Sequence, residues 1–178
     1  MDYSELIIKY GSIGSHIHKL SFAEDAREIK PFRKVKSISH ETTFEKDTND
    51  EVFLKKTLWD LCEKVSDRAK KRGLGGSTIN LKIKTKDFKL ISRSVTIEEP
   101  TQIAEIIFQT SKLLLLREIK KNKFRLLGVG LSNLKDSEIC DLYDLINTNN
   151  RKEKNIEFAI DTIRNKYGVN LIKKGRSI

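Results

Sequence analysis

Lysine side chains recur at every second position of one short stretch of this sequence, and that spacing is the pattern best suited to chemistry. Between residues 78 and 86, polar or basic residues hold the even positions, whereas isoleucine or leucine holds positions 79, 81 and 83. The basic positions are Lys82, Lys84 and Lys86. Alternation with a period of two predicts a β-strand with one basic and one apolar face. A row of ammonium groups suits a polyanion, because each lysine can neutralise a phosphate and release its counterion.

A second run, Leu90–Ile97, follows the connection Asp87-Phe88-Lys89 and places hydroxyl groups at alternate positions. These are Ser92, Ser94 and Thr96. Hydroxyls hydrogen-bond phosphate oxygens and position a polyanion without reading its bases. Neither predicted strand contains an aromatic residue, so the stacking that sheets use on single-stranded RNA is not expected. The alternative interpretation of the same alternation is an ordinary solvated sheet face.

The charge balance favours the same class of partner. The chain has 178 residues, 35 Lys and Arg against 25 Asp and Glu, and a net charge of +10. An excess of this size favours nucleic acid or another polyanion, but it does not determine the fold. The alternative is that abundant lysine, isoleucine and asparagine reflect AT-rich coding.

Groups with the spacing of an active site are missing from the sequence. Cys62 and Cys140 belong to no CxxC motif, and His16, His18 and His40 have no metal-ligand spacing to acidic residues or cysteines. Paired carboxylates such as Glu98-Glu99 are explained by capping and solubility. We therefore expect no catalytic residue, no metal and no cofactor in this chain, and we expect Cys62 to be a core residue.

The two cysteines and the absence of targeting patterns bear on localisation. Two cysteines without a framework pattern favour a reducing compartment. The first residues lack the basic start and long apolar core of a signal peptide, and no apolar run reaches the length of a membrane span. The sequence predicts a soluble protein of the bacterial cytosol, with no membrane partner.

Helical and strand patterns alternate through the centre of the chain in the order β-α-β-β-α-β. The predicted elements are Val35–Phe44, Glu51–Lys71, Thr78–Lys86, Leu90–Ile97, a helix from Pro100 to about Lys120, and Phe124–Leu134. This order predicts an α+β, ferredoxin-like fold, with two helices on one face of a four-stranded antiparallel sheet. The second face is then open, and the lysines of residues 78–86 lie on it.

The flanking segments look like additions to this domain. A short amphipathic helix, weakened by Gly11 and Gly14, is predicted between Leu6 and Leu20, and residues 22–34 are typical of a linker. Residues 135–178 form a polar tail with a helical pattern at Glu153–Lys166. The predicted organisation is therefore residues 1–21, 22–34, 35–134 and 135–178.

Several motifs in register resemble one known family. They are Lys36–Phe44, Gly73–Thr78, Asp87–Ser94, Pro100-Thr101 and Arg125–Ser132. In this order they are similar to the little-finger domain of Y-family translesion DNA polymerases of the bacterial DNA polymerase IV type. Residues 1–21 resemble the last thumb helix of that family, residues 22–34 the tether that follows it, and residues 159–177 its C-terminal tail.

The resemblance implies that the sheet lies along the DNA major groove and holds duplex or primer–template DNA by its phosphate backbone. The binding positions that it implies are Lys36, Ser37, Ser39, Ser92, Arg93, Ser94, Thr96 and Arg125. The lysine alternation adds Lys82, Lys84 and Lys86.

The palm and fingers of that family are not represented in these residues. The Mg²⁺ ions of nucleotidyl transfer would belong to a palm, so we expect no polymerase activity from this chain alone. Two alternatives stay open. One is a regulatory protein that binds the sliding clamp or a separately encoded polymerase fragment, and the other is a decayed polymerase gene product.

A degenerate clamp-binding peptide is the last candidate site. The family often carries such a peptide near its C-terminus, and here it would be Leu142, Tyr143, Asp144, Leu145 and Ile146. Leu142 replaces a glutamine and Ile146 a phenylalanine. The alternative is a short amphipathic turn that packs on the domain.

Overall fold

The fold is described from a computed structural model that covers residues 2–28, 34–119, 122–142, 148–168, 171–172 and 174–175, without the side chains of 148–151. Two compact units divide the chain, Met1–Lys34 and Val35–Ile178. The boundary coincides with the end of the predicted linker. The assignment of residues 1–21 to a thumb, and of the other segments to their family counterparts, stays a prediction.

The first unit contains two helices where the sequence predicts one. Helix α1 is Tyr3–Tyr10 and helix α2 is Ser12–Ser21. They are separated by Gly11, whose φ of +59° lies in the left-handed region that favours glycine. Gly14 is required where the helices touch, because a Cβ there would lie 2.1 Å from the Leu6 carbonyl oxygen.

The second unit contains the sheet. Its elements are β1 (Ser37–Thr48), α3 (Glu51–Lys71), β2 (Leu74–Thr85), β3 (Leu90–Thr101), α4 (Ala104–Ile119), β4 (Phe124–Asp136), a short 3-10 turn (Ser137–Ile139) and α5 (Thr148–Tyr167). The strand order is β1-β4-β2-β3, and each neighbouring pair is antiparallel. Each helical crossover leaves one strand between the strands that it joins, which is the split arrangement. The predicted α+β class, with a four-stranded antiparallel sheet, is confirmed.

The core lies between the sheet and helices α3 and α4. The apolar positions of β2, namely Ile79, Leu81 and Ile83, are at most 1% exposed. Trp59 of α3 and Phe108 of α4 meet edge to face at 5.3 Å between their ring centroids. Cys62 is fully buried, and burial raises the pKa of its thiol to about 12, so the thiol stays protonated. Its expected role as a core residue is confirmed.

Helix α3 has the predicted bounds, since the Asp50 side chain accepts hydrogen bonds from the amides of Val52 and Phe53. Gly73, with a φ of +63°, follows the helix in the left-handed conformation that favours glycine. Gly75 lies within β2. A Cβ at Gly75 would be 2.5 Å from the Cys140 sulfur, so close packing explains that glycine.

Pro100 does not begin helix α4, and that prediction is wrong. Pro100 lies near the end of β3, and α4 starts at Ala104. Strand β3 is an edge strand, where a residue without an N–H is tolerated. Local pattern could not exclude a helix start here, because Pro is favoured in both settings.

The C-terminal helix packs on the domain rather than extending from it. Glu157 of α5 is 5% exposed and lies 2.7 Å from the Lys70 ammonium. The same carboxylate accepts hydrogen bonds of 3.2 Å from the amides of Ala104 and Glu105, so that α5 caps the first turn of α4. Arg164 adds an ion pair of 3.1 Å with Glu63.

The predicted clamp-binding peptide falls almost wholly outside the described residues. Leu142, its first residue, is 54% exposed. Tyr143, Asp144, Leu145 and Ile146 lie outside, so this site stays a prediction. Among the described residues, no helix has the length and the apolar character needed to cross a bilayer.

Candidate nucleic-acid interface

The face of the sheet away from α3 and α4 collects polar side chains from all four strands. Directly paired residues of antiparallel strands share a face. Lys82 pairs with Ser92, Asn80 with Ser94 and Thr78 with Thr96. We call this surface the open face; on it lie Ser37, Ser39, Glu41, Thr78, Asn80, Lys82, Lys84, Ser92, Ser94, Thr96, Gly128, Gly130 and Ser132. Most of the predicted phosphate-binding positions are therefore brought together by three different strands.

A shallow trough of about 360 Å³ runs along the open face over β4. Two glycines form its floor, and both are packed closely by their neighbours. A Cβ at Gly128 would lie 2.9 Å from the Glu41 Cβ, and one at Gly130 would lie 2.9 Å from the Ser39 Cβ. The two glycines therefore keep the middle of the face low.

One ion pair crosses this trough. Glu41 and Lys82 are both register partners of Gly128, on its two sides. Their side chains meet above it, with 2.8 Å between the Lys82 Nζ and the Glu41 Oε2, and each is roughly half exposed (45% and 49%). Because glycine lacks a side chain, nothing separates the two charges. An exposed pair of this kind contributes little to stability, but it places an acid on the open face that sequence reasoning missed.

Lys84 and Lys86 differ from Lys82 in their surroundings. Lys84 lies on the open face near its end, with its Nζ 5.0 Å from the centre of the Phe88 ring. Lys86 follows the last residue of β2 and is exposed in the hairpin connection. Lys36, which precedes β1, is likewise exposed. These lysines supply charge at the rim of the face rather than at its centre.

Arg93 is separated from the other predicted positions. It pairs with Leu81 and so lies on the helix-facing side of β3, opposite to Ser92 and Ser94. Its Nη2 is 3.0 Å from the Glu118 Oε1, and the Glu118 side chain is only 5% exposed. A buried carboxylate needs such a partner. The sequence already indicated this separation, because in Leu90–Ile97 the hydroxyl residues occupy even positions, whereas Arg93 occupies an odd one.

Arg125 sits at an irregularity in β4. Lys84 pairs with Leu126, but Thr85 pairs with Phe124, so Arg125 is the extra residue of a β-bulge. Its guanidinium contacts both carboxylate oxygens of Asp47, at 3.1 and 3.2 Å. Its Cζ also lies 4.5 Å from the centre of the Phe88 ring. Arg125 is thus held in place before any ligand binds.

Hydrogen bonds between side chains order one end of the open face. Asn80 donates to the Ser132 hydroxyl at 2.9 Å. The hydroxyls of Thr78 and Thr96 are 2.9 Å apart, and Asn133 donates to Thr78 at 2.8 Å. Sequence reasoning did not single out Asn80, Ser132 or Asn133, because only the strand order makes them neighbours.

The arrangement is suited to binding and not to covalent chemistry. Among residues 2–28, 34–119 and the other described ranges, no three acids, histidines or cysteines gather as metal ligands would. Apart from the Glu41 carboxylate in its ion pair with Lys82, the polar groups of the open face are ammonium groups, hydroxyls and amides. These are the groups that contact phosphate and sugar without discriminating between bases.

Comparisons with known proteins agree with this geometry. Residues 35–142 match the model of the impB/mucB/samB family C-terminal domain. DNA polymerase IV 1 of Mesorhizobium japonicum is 42% identical over 175 residues, which are 98% of this chain and 40% of that protein. DNA polymerase IV of Brucella melitensis is 41% identical, again over 98% of this chain and 39% of its own length.

The chain therefore spans about 40% of the length of the curated relatives that it matches. A solved structure of a Y-family DNA polymerase chimera aligns with a TM-score of 0.53 at 17% identity, over 74% of this chain and 38% of the chimera. At that identity the likeness concerns the fold.

Proposed function

Because the chain belongs to the impB/mucB/samB C-terminal domain family, the little-finger domain of Y-family DNA polymerases, we propose that it grips duplex DNA by the phosphate backbone with its open face. The observation that carries this proposal is the joining of lysines and hydroxyls from three strands on the sheet face opposite helices α3 and α4. Lys82 and Lys84 lie beside Ser92 and Ser94 there, and Ser37 and Ser39 lie across the trough.

Phosphate contacts of this kind are independent of sequence. A polymerase that copies damaged templates needs such a grip, since it must move along DNA without a preferred site. Helices α3 and α4 pack against the opposite face of the sheet in the core. The open face can then hold DNA without a change of fold.

Nucleotidyl transfer is assigned to a partner polymerase core rather than to these residues. That reaction uses metal ions held by fixed carboxylates; among the described residues no acids gather as such ligands would, and the Glu41 carboxylate of the open face is paired with Lys82. The chain would supply DNA affinity to a catalytic part, joined covalently or as a separate protein. Two other hypotheses stay open: binding to the sliding clamp through residues 142–146, and the origin of the chain as a decayed gene product.

A salt titration of binding tests the proposal. Fluorescence anisotropy would follow a labelled primer–template duplex from about 0.05 to 0.3 M salt. If about four lysines contact phosphates, a plot of the logarithm of the association constant against the logarithm of the salt concentration should have a slope of roughly −3.6. The slope and the affinity should be the same for duplexes of unrelated sequence. Absence of binding at the lowest salt, or strong preference for one sequence, would contradict the proposal.

Glu41→Gln is expected to strengthen duplex binding. The substitution removes a negative charge from the open face, so that Lys82 no longer has to leave an ion pair when it neutralises a phosphate. An exposed ion pair is worth up to about 1 kcal/mol, so the gain in affinity should be up to about fivefold at 0.1 M salt, with the salt slope unchanged because Lys82 contacts a phosphate in both proteins.

The matched control is Glu51→Gln. Glu51 is also exposed and ion-paired, but its partner is Lys55, one turn away on helix α3 in the other layer. Glu51→Gln changes the net charge by the same amount as Glu41→Gln and should raise the affinity for the duplex far less. Equal gains from both variants would show that net charge alone is being measured.

A further inference from the structure

The tip of the β2–β3 hairpin presents an aromatic ring to solvent in a strained backbone position. Phe88 is 59% exposed and has a φ of +61°. Its amide donates to the Thr85 carbonyl at 3.0 Å, and the Thr85 amide donates to the Lys89 carbonyl at 3.0 Å. These bonds define a tight connection in which Phe88 holds the left-handed position. Glycine is the residue that normally occupies that position.

Phenylalanine is costly at this position for two reasons. The left-handed conformation costs a residue with a Cβ about 1 kcal/mol. An exposed ring also recovers little of the free energy that burial of a phenylalanine provides. Neither local conformation nor core packing explains the ring, and a strained exposed residue of this kind suggests a binding role.

The surroundings of the ring indicate what it would bind. Lys84 Nζ lies 5.0 Å and Arg125 Cζ 4.5 Å from the ring centre. Arg125 is in turn fixed by two contacts with Asp47. The ring therefore lies beside two cations at the end of the open face.

A flat apolar surface beside two cations complements a nucleotide, since the base can stack on the ring and a phosphate can meet the cations. In a duplex, both faces of each base are already stacked on neighbours. Away from the ends of the duplex, only an unpaired base offers a free face to the ring. We propose that Phe88 is a stacking platform for an unpaired base of DNA adjoining the duplex on the open face, with Arg125 and Asp47 as positioning residues. This inference rests on the proposed function.

Phe88 departs from the expectation that this sheet offers no aromatic surface for stacking. Strands β2 and β3 carry no aromatic residue, so stacking was not expected. The tertiary structure, however, brings the hairpin tip beside Lys84 and Arg125, and one ring is enough for one base.

The test compares two DNAs that share one duplex, one blunt and one with a single-stranded overhang of about five nucleotides, within the length that one such site contacts. The wild-type chain should bind the overhang DNA about tenfold more tightly than the blunt DNA, the effect of one stacked base. Phe88→Gly should lose this difference and keep its blunt-duplex affinity. Because glycine suits the left-handed position, the Tm of the Phe88→Gly variant should equal or exceed that of the wild type. Leu90→Ala is the control for loss of exposed apolar surface, since Leu90 is 56% exposed on the same hairpin.

A spectroscopic variant reports the contact directly. Phe88→Trp places an exposed indole at the tip, whereas Trp59 is fully buried and serves as a constant background. Overhang DNA should quench the added fluorescence, and blunt DNA should not. If the wild type binds the blunt duplex but binds the overhang DNA no more tightly, the inference alone is overturned. The same holds if Phe88→Gly loses affinity equally for both DNAs. Failure of the wild type to bind the blunt duplex would instead overturn the proposed function.

Discussion

The double variant Lys82→Ala with Lys84→Ala is expected to bind duplex DNA about 50-fold more weakly than the wild type at 0.1 M salt. Two phosphate contacts contribute about 1.8 units to the salt slope. Relative to 1 M salt, where this contribution vanishes, they therefore raise the association constant at 0.1 M salt by nearly two orders of magnitude. Both lysines lie on the open face, where Lys82 is the register partner of Ser92. The slope should become shallower by about the same 1.8 units, and anisotropy titrations at several salt concentrations measure both quantities.

The control removes the same charge from the other layer. Lys56→Ala with Lys64→Ala alters two exposed positions of helix α3, which covers the opposite face of the sheet. We expect a change of less than about threefold and an unaltered slope, since these lysines would contact no phosphate. A third variant adds Glu41→Gln to the Lys82/Lys84 pair, because loss of Lys82 leaves the Glu41 carboxylate uncompensated. If the α3 variant loses as much affinity as the open-face variant, the sheet is not the binding surface.

Glu157→Ala should reduce the free energy of unfolding by about 3 kcal/mol, since removing one partner of a buried ion pair leaves the other charge and its donors unsatisfied. The Glu157 carboxylate accepts two amides of the first turn of α4 and lies 2.7 Å from Lys70 and 3.3 Å from Lys174. Urea unfolding measures the loss, and limited proteolysis should show earlier cleavage in α5.

Two further variants separate charge from hydrogen bonding at this position. Glu157→Gln keeps an acceptor for the α4 amides but no charge for Lys70, so its stability should lie between those of wild type and Glu157→Ala. Glu153→Ala removes an acid of α5 that is not buried and should change little. Equal stability of all four proteins would mean that α5 does not anchor on the domain in solution.

The pKa of Lys70 gives this anchor a pH dependence. Burial lowers the pKa of the ammonium, but the carboxylates of Glu157 and Asp161 outweigh burial and raise it. A raised lysine pKa contributes stability below the unfolded value, and that contribution is lost as pH rises through the folded value. The stabilisation by Lys70 should therefore persist at neutral pH and fade only in alkaline solution.

Periodicity along the chain was sufficient for features that depend on one element alone. The alternation of residues 78–86 determined which side of β2 is buried, and Ile79 and Ile83 are fully buried while Lys82 and Lys84 lie on the open face. The predicted bounds of α3, Glu51–Lys71, agree with the structure, where Asp50 caps the helix and Gly73 follows it. These features need only the neighbouring few residues, since a strand has a period of two and a helix has its own caps.

Strand order and long-range packing decided the rest. Glu41 faces Lys82 only because β4 lies between β1 and β2 with Gly128 in the same row. Arg125 turns toward Asp47 and Phe88 because a bulge shifts it in β4, and Arg93 meets Glu118 because β3 is an edge strand beside α4. Residues far apart in the chain form each of these contacts, so no local period encodes them. The sequence by itself determined a basic sheet face, and the tertiary structure decided how its charges are paired and where an aromatic ring joins them.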